Sequence, residues 1–195
     1  MISTDQIKQL RETTGVSVMQ CRKALEDAKG DMEKALVILR KKGADVVAKK
    51  ADRSLGAGTI VAYIHSNGTV GAMVELSSET DFVSGNEEFK RLAYDIAMHI
   101  AASKPEYLKK EDIKETDKKK AEEVFEKEAE GKPKAMQAKI VAGKLDAYFK
   151  DRILLEQNFI KNPDVTIGDL ISGAVQKFGE KIEIARFVRF GVGSK

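Results

Sequence analysis

Asp81 and Phe82 stand side by side in SSETDFVSGNEEF, residues 77–89, where an alternating apolar pattern gives way to a helical one. The carboxylate brings charge and acceptor oxygens, and the ring brings apolar area that is costly to leave in water. A large ring in a connecting loop either folds back into the core or is held out for another molecule to receive. Few other residues could do chemistry. His65 and His99 are the only histidines, and no HExxH, CxxC or His-rich spacing points to a metal. Both are expected at the surface or the edge of the core. Cys21, the single cysteine, lies on an apolar helical stripe without a neighbour to activate it, so a core position is expected. Glu79 and Asp81 are neighbouring acids in a loop, a common and unspecific arrangement. The chain has no G-x-x-x-x-G-K-[ST] loop, no G-x-G-x-x-G after a strand and no G-x-S-x-G elbow. No catalytic residue, cofactor site or metal site is assigned. Recognition is the expected chemistry.

The elements that position this junction can be read from periodicity. Ser3 with Gln6 and Ser17 with Gln20 have capping-box spacing, and Asp31 can cap a third helix. Ile7 and Leu10, then Cys21, Ala24, Leu25 and Ala28, then Ala35, Leu36 and Leu39 form the stripes of three short helices. Gly15, Gly30 and Gly43 are the expected stops. Residues 44–58 read as a connection, with a boundary near Leu55 that separates residues 1–54 from 55–195. The basic cluster Arg40, Lys41, Lys42, Lys49, Lys50 and Arg53 is read as a solvated linker rather than an RNA contact.

Beyond the linker the period changes to two. GTIVAYIH and TVGAMVEL flank Ser66-Asn67-Gly68, a strong hairpin signal. Val70, Ala72, Val74 and Leu76 share one face. Ser84 with Glu87 predicts the cap of a helix carrying Phe89, Leu92, Ala93, Ile96, Ala97 and Ile100. Residues 109–130 and 133–151 predict a helical hairpin broken at Gly131-Lys132-Pro133. VTIGDLISGAVQKF predicts a further amphipathic helix, and KIEIARFVRF a last strand that joins the hairpin in an antiparallel sheet. Strands on both sides of a run of helices indicate an α+β fold.

Composition bounds the function. The 195 residues are 42% apolar and 33% charged, enough for a packed core under a charged surface. No apolar run approaches the roughly 18 residues of a membrane helix, and MISTDQIKQL lacks the core of a signal peptide. One cysteine cannot form an internal disulfide, so a cytoplasmic location is expected. The 34 basic and 31 acidic residues nearly cancel, unlike a dedicated nucleic-acid binder, so no direct nucleic-acid or membrane partner is expected.

LRETTGVSVMQCRKAL, residues 10–25, and ELSSETDFVSG, residues 75–85, resemble the two signature stretches of the elongation factor Ts family. LLEQNFIKNP and TIGDLISGAVQKFGEKIEIARFVRF resemble it as well, so the likeness spans nearly the whole chain. The sequence departs from the family at Arg22, usually lysine, at Ser77, usually asparagine, and at Gly85, usually basic or asparagine. Asp81 and Phe82 are unaffected.

The resemblance implies a nucleotide exchange factor, not an enzyme with its own catalytic groups, acting on the translational GTPase elongation factor Tu. It implies a ubiquitin-associated-like three-helix domain at residues 1–54, docking through Arg11, Val18 and Met19. It further implies an exchange site at Thr80, Asp81, Phe82 and Val83, with Phe82 as a wedge and Asp81 as a carboxylate near the magnesium and phosphate site. Short members of the family are expected to pair as homodimers. The alternative is a non-catalytic adaptor that binds another partner through the N-terminal bundle and has no use for Asp81-Phe82.

Overall fold

Side-chain caps and left-handed glycines cut the N-terminal stretch into three helices. The structure is a computed structural model and describes residues 2–193. Helix α1, Thr4–Thr14, opens with a full capping box. The Ser3 hydroxyl accepts from the Gln6 N–H at 3.1 Å, and Gln6 Oε1 accepts from the Ser3 N–H at 3.0 Å. Gly15 closes it at φ 69°, where a side chain would be strained. Helix α2, Val18–Asp27, has only the Ser17 half of the expected box, at 3.4 Å. Helix α3, Met32–Lys49, is capped by the Asp31 carboxylate at 3.0 Å. Leu10, Val16, Cys21, Leu25 and Leu39 meet between the three and are buried.

Two expectations fail in α3. It does not stop near Gly43, and the connection does not begin at residue 44; the helix runs to Lys49. Gly43 serves close packing instead of termination. A Cβ there would lie 2.5 Å from Gln176 Nε2 and 3.3 Å from Ser172 Cβ on helix α8, Ile167–Phe178. The hydrogen atom leaves room for the Gln176 and Ser172 side chains where a methyl would meet them.

The sheet has the predicted antiparallel form. Strand β1, Ala57–Ile64, turns at Gly68 into β2, Val70–Ser78, and β5, Ile182–Gly191, pairs along the other edge of β2. A register shift between Glu75 and Leu76 leaves Ala185 as the extra residue of a bulge in β5. Val74 and Leu76 are fully buried beneath helix α5, Glu87–Ser103, which contributes Phe89, Ile96 and Ile100 to the same core. The cap of α5 differs from expectation. Asn86 Oδ1 accepts from the Glu88 N–H at 2.8 Å, while Ser84 belongs to a preceding turn of helix. A short ribbon of β3, Asn158–Phe159, and β4, Asn162–Thr166, was not predicted; two residues carry too little period to detect.

The chain packs as two units. One contains residues up to Ser103 together with those from Asn158 onward, and the other is Lys104–Gln157. The second is the expected helical hairpin, α6, Glu115–Ala129, and α7, Lys134–Lys150. Helix α6 starts later than predicted because residues 110–112 form a 3-10 turn, where the Asp112 carboxylate accepts from the Lys109 N–H at 3.1 Å. Its core is aromatic: Phe125, Tyr148, Phe149 and Tyr107 meet edge to face.

Candidate functional site

The TDFV stretch forms one turn of helix, α4, Asp81–Ser84, between β2 and α5. Extended backbone at Thr80 (φ −126°, ψ 157°) ends the strand, and the Gly85 N–H closes the turn on the Asp81 carbonyl at 2.8 Å. Four residues at 100° each send neighbours to different sides. Val83 points inward against β1 and β2 and is 3% exposed; Phe82 points outward and is 85% exposed. Asp81 is also exposed, and among the described residues no side chain pairs with its carboxylate. A ring and a free carboxylate therefore project together from a turn anchored by a valine.

That turn is held from outside by two acids. Glu180 accepts from the Thr80 N–H at 3.0 Å and from the Thr80 hydroxyl at 2.6 Å. The hydroxyl is consumed there, so Thr80 does not cap α4 with its own side chain. Glu79 accepts from the Lys181 N–H and from Arg53 Nη1 at 3.1 Å to both oxygens. The Lys181 N–H, followed by the Arg53 guanidinium, holds the Glu79 carboxyl below its ordinary range. The Ser78 hydroxyl donates to the Thr80 carbonyl at 2.9 Å, which fixes the strand end as well.

The N-terminal residues of interest also face outward. Val18 and Met19, in the first turn of α2, are 49% and 75% exposed, and Arg11 on α1 is exposed. Lys177 Nζ pairs with Glu88 at 2.7 Å and lowers its carboxyl, with Arg11 contributing through its charge. Arg11 and the start of α5 thus share one electrostatic neighbourhood. The basic cluster of residues 40–53 is largely engaged at home: Arg40 with Asp169, Lys42 with Asp27, Lys50 with the Gly179 carbonyl and Arg53 with Glu79.

The chemistry-bearing residues elsewhere are internal. Cys21 is buried, as expected, and burial raises its thiol pKa. His99, expected at an edge or surface, is fully buried with its ring 6.2 Å from that of Phe159. The unpredicted β3–β4 ribbon covers it, which explains the difference. His65 is exposed beside the Tyr63 hydroxyl at 3.0 Å. Among the described residues no group of three or more His, Cys, Asp or Glu could hold a metal ion. Among the described residues no helix is long and apolar enough to cross a membrane. Sequence reading missed Glu79, Glu180, Lys181 and Arg53 as supports. Glu180 lies 100 residues from Thr80, and no local pattern announces such a pairing.

The family model described as Elongation factor TS matches residues 5–194. Elongation factor Ts of Carboxydothermus hydrogenoformans is 50% identical over 99% of this chain and 90% of its own. The protein of that name from Moorella thermoacetica is 46% identical over 99% of this chain and 96% of its own. That from Thermotoga neapolitana is 45% identical over 100% and 98%.

Proposed function

The chain belongs to the elongation factor Ts family, and we infer from this premise that it promotes GDP release from the translational GTPase elongation factor Tu in the cytoplasm. The observation that carries the reading is the orientation of α4: Phe82 held out and Asp81 unpaired on a turn whose Val83 is buried. Phe82 is the wedge that enters the GTPase near its magnesium and phosphate site. Asp81 presents acceptor oxygens to the same place and competes for the ion's surroundings. Thr80 and Val83 set the turn. Residues 1–54 dock through Arg11, Val18 and Met19, and residues 55–195 carry exchange and self-association.

The factor works by linkage, without a covalent step. A protein that binds the nucleotide-free GTPase more tightly than the loaded one weakens nucleotide by the same factor. A nanomolar nucleotide is held by about 12 kcal/mol, and weakening it by four decades takes roughly 5.5 kcal/mol. Burying one phenylalanine supplies about 1.5–3 kcal/mol. Phe82 therefore acts together with the N-terminal contact surface, whose two exposed apolar side chains supply area of similar size.

Self-association is assigned to the outer face of the sheet. Register places Ile60 beside Glu75 and Arg186, Ala62 beside Met73 and Val188, and Ile64 beside Gly71 and Phe190. Ile64 and Phe190 are 72% and 71% exposed. An apolar face with a single ion pair, Arg186 to Glu75 at 2.7 Å, suits a second copy of the same face.

Release of a fluorescent GDP from elongation factor Tu, with catalytic amounts of this protein, tests the function. Acceleration that Phe82→Ala and Asp81→Ala lose supports it. Release at the rate of buffer alone, by a folded protein with an active GTPase, overturns it and leaves an adaptor role for the N-terminal bundle.

A further inference from the structure

Gly179, Glu180 and Lys181 form a junction between helix α8 and strand β5, and three separate parts of the chain are tied to it. Gly179 closes α8 at φ 72°, which turns its carbonyl toward Lys50 Nζ at 2.6 Å. Lys181 Nζ donates to the Ala51 carbonyl at 2.6 Å. Residues 50 and 51 are the exit of the N-terminal bundle. Across from them, Glu180 holds the N–H and hydroxyl of Thr80, and the Lys181 N–H is held by Glu79. The two carboxylates cross: residue 79 reaches residue 181, and residue 180 reaches residue 80. Arg53 closes the ring through both oxygens of Glu79.

We propose that Glu180 and Glu79 are positioning residues for exchange, a crossed pair of carboxylates that fixes the direction of Phe82 relative to the N-terminal docking helices. The inference rests on the exchange reading of Phe82 given above. Both acids are half-buried and spend their oxygens on Thr80, Lys181 and Arg53 instead of projecting with the ring. Their effect passes through backbone geometry. A single carboxylate taking two hydrogen bonds from one residue restrains both its position and its rotation, which one bond would not. Without Glu180 the turn keeps Val83 as its anchor but gains freedom to swing about it. A side chain misplaced by about 1 Å can cost roughly a hundredfold in rate, whereas docking through α1 and α2 is untouched.

The measurement separates maximal rate from affinity. Fluorescent GDP release is followed against rising concentrations of wild type, Glu180→Ala, Glu79→Gln and Phe82→Ala, all in the full chain. Glu180→Ala should lower the maximal release rate by at least about tenfold and leave the half-saturating concentration within about twofold. The chain lacks tryptophan, so Phe82→Trp supplies a local reporter that needs no partner. Its anisotropy should fall when Glu180→Ala is added, with the thermal midpoint of the fold still cooperative. Normal maximal rate in Glu180→Ala beside a crippled Phe82→Ala overturns the positioning role and leaves the wedge intact. Normal rate in Phe82→Ala overturns the wedge itself. Unchanged anisotropy at position 82 overturns the crossed pair whatever the exchange assay reads.

Discussion

Phe82 and Val83 are consecutive residues on one turn of helix, and the turn leaves the first 85% exposed and the second 3% exposed. The fold therefore depends on one and not on the other. Phe82→Ala should leave the thermal midpoint within about 2 °C of wild type while slowing GDP release severely, because truncating an exposed ring removes no packing. Val83→Ala should cost about 1–2 kcal/mol of stability by removing buried methyl groups. Thermal melts beside the exchange assay separate the two, and a destabilised Phe82→Ala would contradict the described turn.

Two glycines in helices predict opposite signs. A Cβ on Gly143, in α7, meets nothing within 4 Å, so Gly143→Ala should stabilise by about 0.5–1 kcal/mol through helix propensity alone. A Cβ on Gly173, in α8, would lie 2.9 Å from the Thr14 carbonyl, and backbone cannot swing aside as a side chain can. Gly173→Ala should destabilise by about 1–3 kcal/mol and loosen α1 from α8. Urea unfolding of both variants decides the signs.

The lowered carboxyl of Glu79 predicts an acid dependence. A depressed pKa contributes stability that is present above the ordinary value of 4.5 and lost as pH falls through the lowered one. Glu79→Gln should be less stable than wild type at pH 7, and the gap should close on acidification. Thermal midpoints of both proteins from pH 7 down to pH 3 check it; a gap that does not narrow would mean the charge contributes nothing.

Tyr107 predicts the opposite end of the scale. Burial first, then the hydrogen bond to Asp117 at 2.9 Å, pushes its phenol from 10.0 up to about 12. Between those values the unfolded chain ionises while the folded one keeps its proton, so folding weakens as pH rises. Ultraviolet titration at the tyrosinate band is free of tryptophan here. It should show a late step near pH 12, absent from Tyr107→Phe.

The outer sheet face predicts an association state. Wild type should sediment as a dimer, and the double variant Ile64→Glu, Phe190→Glu as a monomer with its fold retained. Each carboxylate would be buried twice across a twofold interface, at several kcal/mol per ion. An unaltered sedimentation coefficient in that variant would remove the sheet face from the interface.

The helices and the sheet were legible because their signals are local and periodic: Ser3 and Gln6, Asn67 and Gly68, and the alternation through Val74 and Leu76. Periodicity left the Phe82 ring either folded back or held out, and only the family resemblance pointed to the exposed position the turn gives it. What escaped was set by partners far along the chain. Gly43 looks like a stop because glycine often is one, but α8 claims it for close approach. Ser84 looks like a cap until Asn86 takes the Glu88 N–H. His99 looks half-exposed unless the ribbon that covers it is known. Glu180 has no local reason to concern Thr80.

The central strand of the sheet has a kinetic consequence. One edge of β2 is matched at once by β1 through a tight turn, but its other edge waits for β5, with Glu75 and Arg186 separated by 111 positions. Closing so long a loop is slow, and a half-matched strand is an open edge in the meantime. During synthesis the hairpin, α4 and α5 emerge well before residues 180–191. A nascent chain thus displays Phe82 on a turn that Val83 anchors but Glu180 does not yet hold, beside an unpaired strand edge. The last strand to pair and the acid that holds Thr80 arrive in the same stretch of chain.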